Sequence, residues 1–247
     1  MEFRLKNALF ILPNAFTVSS IFCGIYAILH AASENSQDAL YHSALAVCFA
    51  GFFDMFDGRV ARMTKTESDF GMELDSLADV VSFGVAPAVI VYKWALWPLG
   101  PIGMFAVFAY AACGAIRLAR FNVLAHRDEG SENHFVGLPI PLAAATLVIL
   151  VIAHFRMFHG LPIERHVFVL GIVIVLGGLM VSTVPYWSFK ETHWDVKTAT
   201  FALAVVVFLW LFGFYFHLSA GLLLLLGGYI SAGIIRSLAS KILPAPK

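Results

Sequence analysis

Four aspartates lie within or beside two apolar stretches of the sequence, where a carboxylate is costly to bury. They are Asp54, Asp57, Asp75 and Asp79. The first two are three residues apart and the last two are four apart, so each pair shares one face of a helix. Two antiparallel helices joined by a turn would direct all four carboxylates to one point. The spacing therefore predicts one shared acidic site.

Positive charge must accompany such a site, because four carboxylates cannot all stay ionised in a low-dielectric environment without it. Arg62 lies on the same helix face as Asp57 and supplies one positive charge. Oxygen ligands suit Mg²⁺, Mn²⁺ or Ca²⁺ rather than a metal that prefers thiolates. Two such cations could bridge a diphosphate and stabilise the charge that develops as a phosphorus–oxygen bond breaks.

A path for protons or cations is the alternative interpretation, since carboxylates in membrane spans often mark such paths. The four aspartates argue against it, because they cluster at one end of two spans instead of being distributed through the bilayer. Gly58, Ala61 and Gly71 lie on the same helix faces. Their small size leaves room for a ligand or for close contact between helices.

The composition predicts an integral membrane protein. Of the 247 residues, 60% are hydrophobic and 13% are charged, and the mean hydropathy is +0.83. A soluble domain would carry about 25% charged residues. The net charge is zero, which gives no indication of a nucleic-acid partner.

Apolar runs of the length that crosses a bilayer, roughly 17–25 residues, indicate an all-α fold with about eight transmembrane helices. The runs cover residues 13–32, 39–60, 73–95, 99–124, 138–157, 167–188, 197–216 and 218–238. Residues 1–12 are expected to form a short amphipathic helix that leads into the first span. We expect one membrane domain over residues 1–247, with a catalytic core of six helices at 13–188 and two additional helices at 189–247.

The distribution of basic residues predicts the orientation. If the N-terminus is cytoplasmic, only three of the 16 Lys and Arg residues face outward, namely Lys93, Arg156 and Arg165. This asymmetry follows the positive-inside rule. It places the aspartates at the cytoplasmic surface of the membrane.

The segment from Asp54 to Asp79 reads D-x2-D-G-x2-A-R-x8-G-x3-D-x3-D. This pattern resembles the signature of the CDP-alcohol phosphotransferases, and all eight fixed residues of that signature are present. That family transfers a phosphoryl-containing group from a CDP-linked donor to an alcohol and releases CMP. The resemblance implies the fold of that family and a centre of two divalent cations. It also implies a homodimer.

The resemblance further implies a role for each residue of the signature. Asp79 would be the general base for the attacking hydroxyl. The metal ligands would be Asp54, Asp57, Asp75 and Asp79. The CDP group would contact Asp54, Gly58, Ala61, Arg62, Gly71 and Asp75.

Four other stretches bear on the acceptor alcohol. They are "PNAFTVSSIFCG" (13–24), "VVSFGVAPA" (80–88), "RLARFNV" (117–123) and "FVGLPIPLAAA" (135–145). Together with the signature they resemble the membrane-embedded phosphatidylserine synthases of bacteria and archaea. This resemblance implies CDP-diacylglycerol and L-serine as substrates, membrane lipids as partners, and a location in the inner membrane of a prokaryote. Choline, as in phosphatidylcholine synthases, is the main alternative acceptor, followed by glycerol 3-phosphate and inositol phosphate.

Arginines near the inner surface are candidates for binding the acceptor or the lipid phosphate, since either carries an anionic group. We expect Arg120 and Asn122 to make these contacts, followed by Arg117; the arginines could instead extend toward lipid headgroups. Ser82 could line the acceptor pocket or hydrogen-bond within its helix. Gly137, Pro139 and Pro141 predict a break before the fifth span. Asn14 and Thr17 are expected to brace the first span against the site.

Overall fold

The computed structural model describes residues 2–33, 36–64, 66, 68–126, 134–158, 166–187 and 217–242. Its elements are the helices α1 (Glu2–Ser33), α2 (Gln37–Thr64), α3 (Asp69–Leu99), α4 (Pro101–His126), α5 (Ile140–Phe158), α6 (His166–Val181) and α7 (Leu218–Ile242), and the strands β1 (His134–Val136) and β2 (Pro185–Trp187). The two strands pair antiparallel, with Phe135 opposite Tyr186. Apart from this short pairing and a few connecting residues, the described residues are helical, which confirms the predicted all-α fold.

Six of these helices are long and apolar enough to cross a membrane, and the 16-residue α6 is apolar but shorter. The chain is an integral membrane protein. The predicted spans at 13–32, 39–60, 73–95, 99–124, 138–157 and 218–238 each coincide with one of the six long helices. The predicted span at 197–216 lies outside the described residues.

The predicted span at 167–188 is too long, because α6 ends at Val181. The Ser182 hydroxyl donates to the Leu179 carbonyl at 2.8 Å and accepts from the Val184 amide at 3.3 Å, so it takes over the hydrogen bonds of the helix end. Pro185 lacks an amide hydrogen and cannot continue the helix. Residues Pro185–Trp187 form β2 instead.

Helix α1 is continuous from Glu2 and contains Pro13, so residues 2–12 are not a separate helix from the first span. The amphipathic character of this segment stays a prediction. Helix α1 packs along α2, and the two helices carry small side chains that are fully buried, including Ala27, Ala31, Ala44 and Ala50, all 0% exposed. Small residues allow two helix backbones to approach closely within a membrane.

A short turn joins α2 to α3 and places the second half of the signature beside the first. Helix α3 begins after Ser68, whose side chain accepts a hydrogen bond from the Gly71 amide at 3.1 Å. Serine at this position satisfies an amide that has no partner within the helix, and Asp69 in the first turn is favourable to the helix dipole. Thr66 donates its amide to the Ala61 carbonyl at 3.0 Å and closes the end of α2.

The break predicted before the fifth span is confirmed. Helix α5 begins at Ile140, and Gly137 has a φ of +85°. A side chain at Gly137 would also collide with the Met180 carbonyl. The Leu138 amide donates to the Leu179 carbonyl at 3.0 Å, so this break holds the start of α5 against the end of α6.

Candidate active site

Three carboxylates of the signature converge where α2 ends and α3 begins. One ligand oxygen from each of Asp54, Asp57 and Asp75 lies within 4.8 Å of the others. Asp57 is 5% exposed, and Asp54 and Asp75 are partly buried. The convergence predicted from the spacing is confirmed for these three residues.

Asp79 lies beside this group, one turn further along α3 than Asp75. Its carboxyl group is within hydrogen-bond distance of that of Asp54, and it is 8% exposed. Two carboxyl groups this close need a proton or a cation between them. The Oδ1 atom of Asp79 is buried and has no hydrogen-bond partner among the described residues. The fourth aspartate thus offers an unused oxygen at the edge of the triad.

Helix α1 contributes the residue that orients Asp57. The Thr17 hydroxyl donates to Asp57 Oδ2 at 2.8 Å, and the Gly58 amide donates to Asp57 Oδ1. The expected bracing by Thr17 is therefore confirmed. Asn14 lies next to Gly71, where an added Cβ would be 3.7 Å from Asn14 Oδ1. The start of the first span thus packs against both halves of the signature.

The small residues of the signature have different surroundings. An added Cβ at Gly58 would meet no atom of the described residues within 4 Å, so open space adjoins the backbone beside Asp57. At Gly71 an added Cβ would lie 3.2 Å from Ser68 Oγ, which is tight packing against the helix cap. Ala61 is half-buried, and Arg62 is exposed at the end of α2.

These residues fit divalent cations. Carboxylate oxygens make up the donor set, as hard cations such as Mg²⁺, Mn²⁺ and Ca²⁺ prefer. The unpartnered Oδ1 of Asp79 could complete a coordination sphere that the triad begins. Open space at Gly58 would admit a phosphate group next to the same oxygens.

Helix α4 brings a cation to Asp79. Arg117 is partly buried and interacts electrostatically with the Asp79 carboxylate. Its Nε atom is buried without a hydrogen-bond partner among the described residues, so it can still donate to a ligand. Arg120 is exposed. The structure therefore brings the charge of Arg117, the residue that sequence reasoning ranked below Arg120, within electrostatic range of the predicted base.

The other two acceptor candidates make contacts within the protein. Asn122 is 7% exposed, and its Nδ2 donates to Glu73 Oε2 at 3.2 Å and to Ser76 Oγ at 3.0 Å. Ser82 is 0% exposed, and its hydroxyl donates to the Ser20 carbonyl at 2.9 Å, so it links α3 to α1 and not to its own helix. Their predicted ligand contacts stay predictions.

Sequence reasoning missed Glu73 and Ser76, which anchor Asn122, and it missed the N-cap Ser68. Ser68 had a signal, since a serine followed by an aspartate before an apolar helix is typical of an N-cap. Glu73 and Ser76 had none, because they look like ordinary polar residues of an amphipathic turn. Their contact with α4 depends on tertiary packing.

Comparison with known proteins places the chain in a family. Residues 10–177 match the family model described as CDP-alcohol phosphatidyltransferase. The CDP-diacylglycerol–serine O-phosphatidyltransferase of Helicobacter pylori strain J99 is 40% identical over 93% of this chain and 92% of its own length. Proteins of the same description from Bacillus subtilis and Methanocaldococcus jannaschii are 37% and 35% identical, over 73% and 71% of this chain and 92% and 73% of their own lengths. The matched region includes the whole acidic site, and this chain is a member of the CDP-alcohol phosphatidyltransferase family.

Proposed function

We propose that this chain transfers the phosphatidyl group of CDP-diacylglycerol to the hydroxyl of L-serine, giving phosphatidylserine and CMP. The observation that carries the proposal is the convergence of Asp54, Asp57 and Asp75 within 4.8 Å, with Asp79 beside them. Serine as the acceptor is supported by relatives that are described as serine O-phosphatidyltransferases and align over most of the chain.

The carboxylates would hold two divalent cations, Mg²⁺ or Mn²⁺ with Ca²⁺ as a further possibility. Asp54, Asp57 and Asp75 are the proposed principal ligands, and Asp79 reaches the same centre. When bound, the cations neutralise the charge of the diphosphate and of the departing CMP. Thr17 holds the Asp57 carboxylate in one orientation, as partners of metal ligands commonly do.

Asp79 is the proposed general base. The serine hydroxyl gives its proton to the Asp79 carboxylate, and its oxygen forms a bond to the lipid-side phosphorus. The bond from that phosphorus to the CMP oxygen breaks, and CMP leaves. Asp79 suits this role because its Oδ1 is buried and accepts no hydrogen bond from the described residues. A base must lie within hydrogen-bond reach of the proton that it removes.

The nucleotide would approach the open backbone at Gly58. Asp54 and Asp75, whose carboxylates group with that of the adjacent Asp57, would contact the nucleotide, and Ala61 adds little bulk. Arg62, exposed at the end of α2, is positioned to pair with phosphate or nucleotide at the surface. Gly71 is proposed to act by allowing α1 and the Ser68 cap to approach, since its Cβ position is already crowded.

Arg117 is the proposed partner of the acceptor carboxylate or the lipid phosphate. Its guanidinium lies near Asp79, and its Nε has a hydrogen to donate. Arg120 is exposed and would meet lipid phosphate at the membrane surface. The contacts of Asn122 with Glu73 and Ser76 favour a structural role for Asn122. Burial of Ser82 against α1 favours the same for that residue.

The active site is proposed to face the cytoplasm from the inner membrane of a prokaryote. The distribution of Lys and Arg supports this orientation. Acyl chains of the donor could then remain among lipids while its diphosphate reaches the carboxylates at the end of the helices. A homodimer is also proposed from the family resemblance.

One assay tests the substrate assignment. Purified protein is given CDP-diacylglycerol, Mg²⁺ or Mn²⁺, and in separate reactions serine, choline, glycerol 3-phosphate or inositol phosphate, and CMP release is measured. Of the four acceptors, we expect only serine to cause release of CMP. Asp79→Asn should abolish it, whereas the control Asp38→Asn, exposed in the first turn of α2, should retain it.

Other outcomes would replace the proposal. Release of CMP that depends on choline would identify the protein as a phosphatidylcholine synthase instead. A cation transporter would give metal flux into liposomes with no CMP from any acceptor. Near-normal activity of the folded Asp79→Asn variant would show that another group is the base.

A further inference from the structure

Helix α3 departs from α-helical geometry immediately after Asp79. Residues Val80–Val85 form a π-helical turn, in which the Ala86 amide donates to the Val81 carbonyl five residues earlier. One extra residue in a turn changes the rotation between the segments on either side by about 100°. The turn therefore sets how the acidic segment Asp69–Asp79 is rotated relative to the rest of the span.

A side chain of α4 holds this turn. The Tyr110 hydroxyl donates to the Phe83 carbonyl at 3.1 Å, and Tyr110 is 1% exposed. A π-helical turn disturbs the regular pattern of backbone hydrogen bonds, and inside a membrane bundle no water is available to replace them. The phenol thus satisfies a carbonyl of the turn while fixing its distance from α4.

A similar contact between a side chain and a π-helical carbonyl occurs a second time in α3. A second π-helical segment of α3, Tyr92–Leu96, is bound in the same way by α6, since His166 Nδ1 lies 2.6 Å from the Ala95 carbonyl. Each of these two π-helical segments is thus fixed by a polar side chain from a neighbouring helix. Only the first lies next to a residue of the acidic site.

We propose that Tyr110 is a positioning residue for the reaction at Asp79. The proposal rests on the proposed function, because it requires Asp79 to act there. Phe83 lies four residues beyond Asp79, one helical turn away, so a shift of the turn toward or away from α4 displaces the Asp79 carboxylate from the attacking hydroxyl. A displacement of about 1 Å at a reacting group can lower the rate roughly 100-fold.

The test is Tyr110→Phe, which keeps the ring and its packing and removes only the hydroxyl that binds the Phe83 carbonyl. Its control is Tyr186→Phe, because Tyr186 is also 1% exposed but its hydroxyl has no hydrogen-bond partner among the described residues. We expect Tyr110→Phe to lower kcat for CMP release roughly tenfold. The KM values for CDP-diacylglycerol and serine should stay within about twofold, and the control should match the wild type.

A merely structural role predicts a different result, in which the melting temperature of Tyr110→Phe falls but kcat per folded molecule stays at the wild-type value. That result, or a raised KM with unchanged kcat, would overturn the positioning role. If Tyr110→Phe does not fold, Tyr110→Met takes its place, since it also removes the hydroxyl and keeps an apolar side chain at this buried position. An unchanged kcat for that variant would likewise contradict the inference.

The wild-type enzyme in the same assay separates the two proposals. A wild type that releases no CMP with serine contradicts the proposed function itself. An active wild type with an equally active Tyr110→Phe variant contradicts only the positioning role of Tyr110.

Discussion

Thr17 is the residue through which α1 reaches the carboxylate centre. It coordinates nothing in the proposed mechanism, yet its hydroxyl binds Asp57 Oδ2 at 2.8 Å in a region where Asp57 is 5% exposed. Loss of this donor would leave the buried Asp57 carboxylate held by the Gly58 amide alone, at Oδ1. Groups that orient metal ligands commonly affect function nearly as much as the ligands themselves.

Thr17→Val should therefore weaken the binding of the divalent cation. We expect the Mg²⁺ or Mn²⁺ concentration for half-maximal CMP release to rise, or activity to fall, by roughly 10–100-fold. Thr146→Val is the matched control, because the Thr146 hydroxyl donates to the Leu142 carbonyl of its own helix, α5. If both variants give the same metal titration as the wild type, Thr17 has no role in orienting the metal ligand Asp57.

The aspartates could be predicted from the sequence because their spacing alone places them on two helix faces. The partners of Asn122 could not, since its bonds to Glu73 and Ser76 join residues 49 and 46 positions apart in the chain. The same holds for Arg117, whose nearness to Asp79 depends on how α4 is rotated. Local spacing identifies the ligands, whereas tertiary packing selects their neighbours.

At the scale of helices, the close packing of α1 on α3 keeps the acidic site together. A Cβ at Gly24 would lie 2.7 Å from Ser82 Oγ and 2.9 Å from Ser82 Cα. The second of these atoms belongs to the backbone, so a rotation of the serine side chain cannot relieve the collision. Gly24 thus allows α1 to contact α3 just beyond Asp79.

Gly24→Ala should destabilise the folded protein by roughly 1–3 kcal/mol, because the two helices must separate. Gly178→Ala is the control, since an added Cβ there meets no atom of the described residues within 4 Å. Thermal unfolding of both variants in the same detergent would give the comparison. A Gly24→Ala protein as stable as the control would contradict the close contact.

The sequence predicted where the long helices lie, because runs of apolar residues report directly on membrane-spanning length. It did not predict the π-helical turn at Val80–Val85, since apolar residues fill that segment without interruption. It also extended the sixth span through Ser182, because hydropathy registers the apolar residues of β2 but not the hydrogen bonds that end α6.

At the scale of the whole molecule, the acidic site lies at one end of the bundle, where α2 ends and α3 begins. The positive-inside rule assigns this end to the cytoplasm. The opposite end includes the start of α6, at His166–Val181. Two exposed side chains, Met63 at 84% and Val167 at 72%, mark the two ends.

Labelling of single cysteines tests this orientation. In a background without the three native cysteines, Val167→Cys should react with a membrane-impermeant maleimide in intact cells. Met63→Cys should react only in inverted membrane vesicles. The reverse pattern would place the active site on the outer surface and contradict the proposed orientation.

In the proposed reaction, the serine hydroxyl attacks the lipid-side phosphorus at the carboxylate centre. Serine labelled with ¹⁸O in its hydroxyl tests this most directly, with CDP-diacylglycerol, a divalent cation and mass spectrometry of both products. We expect the phosphatidylserine to carry the ¹⁸O and the CMP to carry none. Label in CMP, or no labelled lipid from an enzyme that is folded and supplied with metal, would contradict it.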